Sequence, residues 1–199
     1  MTIDSIRTYP ETRTVGNRQV TLRLMTSNDK TAVLAFARSL PEHDLLFLRR
    51  DITEESAVDA WVNEIAGGLM TTIIATAGDA ILGYASIERN RLRWSAHVAE
   101  LRVMISESMR GKGLGRTLTQ EAFAIALASG IEKMVAQMTL DQKGAIATFE
   151  GIGFKPEALL RDHVKDRAGN KHDLLVLSHE VARFESQTAA YGVNDAFGY

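Results

Sequence analysis

The stretch Arg110-Gly111-Lys112-Gly113-Leu114-Gly115 constrains this chain more than any other, because of what flanks it. Before it, residues 97–105 alternate as a strand does. After it, residues 114–129 carry Leu114, Leu118, Ala122 and Ile125 on one helical stripe that stops at Gly130. A glycine-rich turn from strand to helix leaves the first helical amides without intrahelical acceptors, at the positive end of the helix dipole. Glycines there adopt backbone angles closed to other residues and let an anion approach the chain. With Arg110, Lys112 and Arg116 adding positive charge, the junction predicts a cradle for a pyrophosphate. Two nucleotide-binding spacings are excluded. The loop lacks the GxxxxGK-[ST] order of a Walker motif, and a GxGxxG fingerprint begun at Gly111 would need glycine where Arg116 stands.

Residues 1–18 read as a polar, irregular arm, 19–181 as one domain and 182–199 as a weakly patterned tail. Within the domain, 19–24 alternate as a strand, and Thr26 to Asp29 supply caps for a helix that Pro41 stops. Thr53 is placed to cap a second helix whose apolar face is Val58, Trp61, Val62 and Ile65. Strands at 71–77 and 80–89 meet at Gly78-Asp79 as a hairpin. Strand 131–138, helix 142–151 and a closing hairpin of 154–165 with 171–180 complete the order. Such mixing predicts an α/β (α+β) sheet covered on both faces.

A chain of 199 residues suits a single core, and a net charge of −2 argues against bulk attraction to nucleic acid or anionic membrane. No cysteine is present, which removes disulfides, thiolate zinc sites and cysteine nucleophiles. The histidines show no metal-ligand spacing, so no metal is expected. With no signal-like or membrane-spanning run, the default expectation is a cytoplasmic protein.

Arg110, Gly113 and Gly115 match the R-x-x-G-x-G signature of the GNAT superfamily of acetyl-CoA-dependent N-acetyltransferases. Upstream, Ala99 to Ile105 resembles that family's fourth strand. Downstream, the segment from Ala145 to Phe154 is similar to its A-I-x-x-Y-x-x-x-G-F helix-to-strand element. The resemblance implies a mixed, mostly antiparallel sheet of about seven strands, splayed between the fourth and fifth, with about four helices. It also implies acetyl-CoA as cosubstrate. The pantothenyl arm would pair with backbone near Val103, Met104 and Ile105. Amides of Gly111 to Gly115, with Arg110 and Arg116, would hold the pyrophosphate, and Gln142, Ala145 and Phe149 would flank the thiol end.

The implied reaction moves acetyl from a thioester to an amine. An amine of pKa near 10.4 must lose a proton before it attacks. Glu100, on the less apolar face of its strand, is the candidate base; the competing reading pairs it with Arg102 or a neighbouring arginine. Phe149 stands where the family often has a tyrosine that protonates the thiolate, and Gln142 where it has asparagine. Tyr84 is a conceivable substitute donor, but a structural role suits it better. The acids of Glu42-His43-Asp44 can attract a cationic acceptor, or can simply be solvated. His163 and His172 are expected to face each other across the last hairpin. The resemblance favours a small-molecule amine acceptor. A protein N-terminal or lysine acetyltransferase and a silent CoA-binding sensor are the alternatives, and a homodimer is left open.

Overall fold

The computed structural model describes residues 8–45, 48–89 and 92–181. Eight strands form one sheet: β1 (Glu11–Val15), β2 (Arg18–Leu24), β3 (Met70–Ala77), β4 (Ala80–Arg89), β5 (Val98–Ile105), β6 (Lys133–Thr139), β7 (Lys155–Lys165) and β8 (Lys171–Glu180). Their order is β1-β2-β3-β4-β5-β6-β8-β7. Neighbours are antiparallel except β5 and β6, which run parallel. The helices are α1 (Lys30–Ser39), α2 (Glu42–Leu45), α3 (Glu55–Ala66), α4 (Leu114–Ala128) and α5 (Lys143–Ile152).

Both faces of the sheet are covered, as the mixed element order predicts. Leu114, Leu118, Ala122 and Ile125 of α4 pack with Ala99 and Leu101 of β5, Met134 and Ala136 of β6, and Phe149 of α5. The opposite face carries a second core in which Val33 and Phe36 of α1 and Val58 and Trp61 of α3 enclose Ile74 and Tyr84. Tyr84 lies between Phe36 and Trp61, with its ring centroid 4.9 Å from that of Trp61. Burial pushes its phenol pKa upward, so it is a structural ring and a poor proton donor.

Local signals explain most boundaries. Thr26 and Asp29 form a capping box before α1, and Asp29 is also gripped by Arg23 of β2 at 2.6 Å. That guanidinium holds the Asp29 carboxyl below its ordinary pKa. The turn at Gly78, with φ of 58°, closes the β3–β4 hairpin.

Three expectations need correction. Residues 11–15 are not irregular: they form β1, which brings the sheet to eight strands, and only Val15 in it is fully buried. Thr53 does not cap α3. Its amide and hydroxyl both donate to Asp51 Oδ1, at 3.0 and 2.5 Å, and the extended Glu54 occupies the cap position without a side-chain bond. His172 lies opposite Val164 rather than His163, and its Nε2 is 3.1 Å from Asp166 Oδ2.

Candidate active site

Two parallel strands that diverge make the site. β5 and β6 pair only at Val98–Lys133, Ala99–Met134 and Glu100–Val135, after which no ladder joins them. On its other edge β5 stays paired to β4 as far as Ile105, and the Ser106 amide donates to Leu82 O at 2.8 Å. Backbone groups of alternate residues point to opposite edges of an antiparallel strand. Ser106, Met104 and Arg102 therefore turn theirs to β4, and Val103 and Ile105 turn theirs into the gap. Their side chains pack toward α4, while that of Met104 joins the core beneath α1 and α3.

The carboxyl ends of β5 and β6 both feed helices, so the starts of α4 and α5 flank the open end of the gap. Gly111 and Gly113 have φ of 69° and 89°, the left-handed region. Gly113 is the N-cap of α4 and supplies no side chain, so none caps its first turn. The Lys112 amide is already turned to Met109 O at 3.3 Å, and its side-chain stem lies over the β1–β2 turn at Gly16. Leu114 is buried as an anchor for the loop. Gly115 is different: a Cβ there would meet Ile105 Cδ1 at 3.8 Å, an ordinary contact. Nothing in the protein's own packing demands glycine at 115. Arg116 follows in the first turn of α4, exposed to solvent.

At the α5 end, the Gln142 side-chain oxygen accepts from the Thr139 amide at 3.1 Å, closing the turn after β6. Ala145 is exposed on the first turn of the helix. Phe149 is buried against Phe154, ring centroids 4.9 Å apart, and offers no proton.

α2 ties this region together. Its three consecutive polar residues reach three separate elements: Glu42 to Arg167 beyond β7 at 2.6 Å, His43 to Asp141 before α5 at 2.8 Å, and Asp44 to Arg110. The acids of this segment are thus committed to ion pairs rather than open to a cationic ligand.

Where β5 and β6 part, a cleft of about 430 Å³ opens on the face covered by α1 and α3. Glu100 projects into it beside Val135, Gln137 and Glu88. The Glu100 carboxylate is held on both oxygens, Oε1 by Arg102 and Oε2 by Arg49. The pairing with Arg102 is the competing reading of the sequence, and it is present here. Arg49 and Glu88 were not legible as site residues. Arg49 lies in a loop without periodicity, and Glu88 joins the site only through the β4–β5 register that sets it opposite Glu100.

The sequence profile of the acetyltransferase (GNAT) family matches residues 34–154, well over half of the 199. The chain belongs to the GNAT acetyltransferase family. Among curated relatives, a Bacillus subtilis (strain 168) protein, YwnH, provisionally described as a phosphinothricin acetyltransferase, is 34% identical over 84 residues. That alignment covers 42% of this chain and 51% of the relative, so the chain spans about half the length of the curated relative it matches. A solved structure provisionally described as a phosphinothricin N-acetyltransferase is 26% identical, with a TM-score of 0.69 over 81% of this chain and 98% of the other. The Salmonella typhimurium protein yncA, provisionally described as an acetyltransferase and solved with its cofactor acetyl-CoA, superposes at a TM-score of 0.73. It is 20% identical and covers 81% of this chain and 94% of its own, a likeness of fold. The GNAT fold here places its splay between β5 and β6, one strand later than the sequence count because β1 precedes it.

Proposed function

We propose that this protein is an N-acetyltransferase that moves acetyl from acetyl-CoA to a small-molecule amine by direct attack in a ternary complex. The observation that carries the reading is the joining of two features: a left-handed glycine loop at the start of α4, and a strand pair that opens beside it with Glu100 at the fork. Amides at the start of α4 and the cations Arg110 and Arg116 suit the pyrophosphate, and Arg110 would exchange Asp44 for it. Backbone of Val103 and Ile105 suits the amide-bearing arm, flanked by Gln142, Ala145 and Phe149 across the gap. Bound acetyl-CoA supplies an activated thioester carbon, which gains the C–N bond as the C–S bond breaks and the thiolate leaves.

The chain's own residues handle the proton. The acceptor amine enters as its ammonium, and Glu100, directly or through a water, takes the proton that must leave before attack. Phe149 cannot protonate the leaving thiolate, so that proton comes from solvent or from the base relay. A cleft of about 430 Å³ falls within the range of small-ligand sites, which supports a small acceptor, as does the likeness to proteins described as phosphinothricin acetyltransferases.

Mass spectrometry of products after incubation with acetyl-CoA and a mixed panel of amino acids, polyamines, aminoglycosides and peptides tests this reading. N-acetylation confined to a small molecule supports it, and acetylation of peptide N-termini or lysines alone overturns the small-molecule part. The loop makes a separate prediction. Gly115→Ala removes a flexible residue from a helix where its methyl group fits, so the fold is expected to gain about 0.5 kcal/mol. The same methyl group stands where the pyrophosphate must approach, so acetyl-CoA affinity should fall about tenfold. Chemical denaturation and calorimetric titration check the two halves; unchanged affinity would place the cradle elsewhere.

A further inference from the structure

Glu88 and Glu100 stand directly opposite each other on β4 and β5, and both line the cleft. Like charges so placed repel. One guanidinium resolves the conflict: Arg49 Nη1 is 3.0 Å from Glu88 Oε1, while Nη2 takes Glu100 Oε2. Because Arg102 holds the other oxygen, Glu100 is clamped from both sides and is not presented to an incoming amine. The two clamps differ in freedom. Arg102 is on β5 itself with its side chain 22% exposed, whereas Arg49 lies in the loop before α3 with its side chain 54% exposed. Neighbouring arginines have fixed partners: Arg89 donates to Ser129 O at 2.8 Å and Arg50 to Glu64 at 2.7 Å.

We propose, building on the acetyltransferase reading above, that Arg49 is both the resting counter-ion of the Glu88–Glu100 pair and the anchor for an anionic group on the acceptor. The acceptor is then an amine that also carries a carboxylate or a phosphorus oxyanion. Its anion draws the Arg49 guanidinium away, since such oxyanions match the guanidinium fork. Its ammonium takes the vacated place between the two carboxylates. Charge is conserved in the exchange, because one cation replaces another at the pair and the displaced guanidinium gains its own anion. The ammonium then gives one proton to Glu100, and the nitrogen forms its bond to the acetyl carbon as the thioester C–S bond breaks. The second proton on nitrogen passes to the departing thiolate, leaving neutral amide and free CoA thiol. An amine without an anionic group must evict Arg49 with nothing to receive it, so selection for zwitterions is built into the base.

The test is steady-state thiol release from acetyl-CoA with L-amino acids whose side chains carry no acid, each beside its own carboxamide, in the wild type, Arg49→Met and Arg49→Lys. The wild type should favour acids over their amides by at least about tenfold in kcat/KM. Arg49→Met should erase that preference, chiefly by raising KM for the acids, and Arg49→Lys should restore part of it. Amides used as well as acids by the wild type, or an Arg49→Met loss shared equally by acids and amides, would overturn this role for Arg49 while leaving acetyl transfer intact. Silence with every acid and every amide contradicts the small-molecule reading itself, and this inference with it.

Discussion

Glu100→Gln is expected to lower kcat by about a hundredfold or more, within the range that a positioned general base contributes. Affinity for acetyl-CoA should change less than twofold. The reasons are positional. Glu100 sits at the last paired position before β5 and β6 part, with its side chain 11% exposed and turned into the cleft. The glycine loop proposed to meet the cofactor is at the far end of β5, beyond Ile105. Glutamine keeps the size and an acceptor oxygen for Arg49 and Arg102, but it cannot take a proton. A loss in kcat with unchanged cofactor affinity marks a group needed only in the transition state. Steady-state kinetics and calorimetric titration of the same preparation supply both numbers. Unchanged kcat would remove Glu100 from the chemistry and leave it as the structural partner of two arginines.

The largest expected loss of stability lies at the other end of the chain. Glu121 of α4 is fully buried; its Oε2 accepts from the Tyr9 hydroxyl at 2.7 Å, and its Oε1 forms an ion pair with Arg13 Nη2 at 2.9 Å. Arg13 is in turn gripped by Glu11 at 2.5 Å; that contact first, and Glu121 after it, raise the guanidinium pKa against the effect of burial. Arg13→Met should therefore destabilise the protein by about 3 kcal/mol, because it leaves a buried carboxylate without its cation. The double variant Arg13→Met/Glu121→Leu should recover most of the loss, since an apolar pair of similar size removes the uncompensated charge. Urea denaturation of the two variants beside the wild type decides the matter. A cost below about 1 kcal/mol in the single variant would mean that water or other donors already satisfy Glu121.

These two residues also mark where the sequence was and was not legible. The helices and central strands announced themselves through strong period and through Gly or Pro at their ends: α4 by its stripe and Gly130, α1 by the Thr26–Asp29 box, the β3–β4 hairpin by Gly78-Asp79. β1 carried no such mark. Its Glu-Thr-Arg-Thr run is polar because it is an edge strand, held by cross-strand contacts such as Thr12 with Thr21 at 3.3 Å and by the reach of Arg13 to α4. No local pattern encodes a partner so distant in sequence. Thr53 was misread for the opposite reason, since a nearer acceptor, Asp51, took the hydroxyl that the cap would have used. At the site, the glycine loop was readable because its function depends on backbone angles that only glycine supplies readily. Arg49 and Glu88 were not, because their role follows from strand register and a loop conformation.

The central claim is acetyl transfer from acetyl-CoA to an amine, and release of free thiol tests it most directly. The protein has no cysteine, so a thiol reagent reads released CoA without background from the enzyme. The account predicts acceptor-dependent release with at least one small amine and a strongly reduced rate in Glu100→Gln. An absence of release across the amine panel, together with no binding of acetyl-CoA, would contradict it.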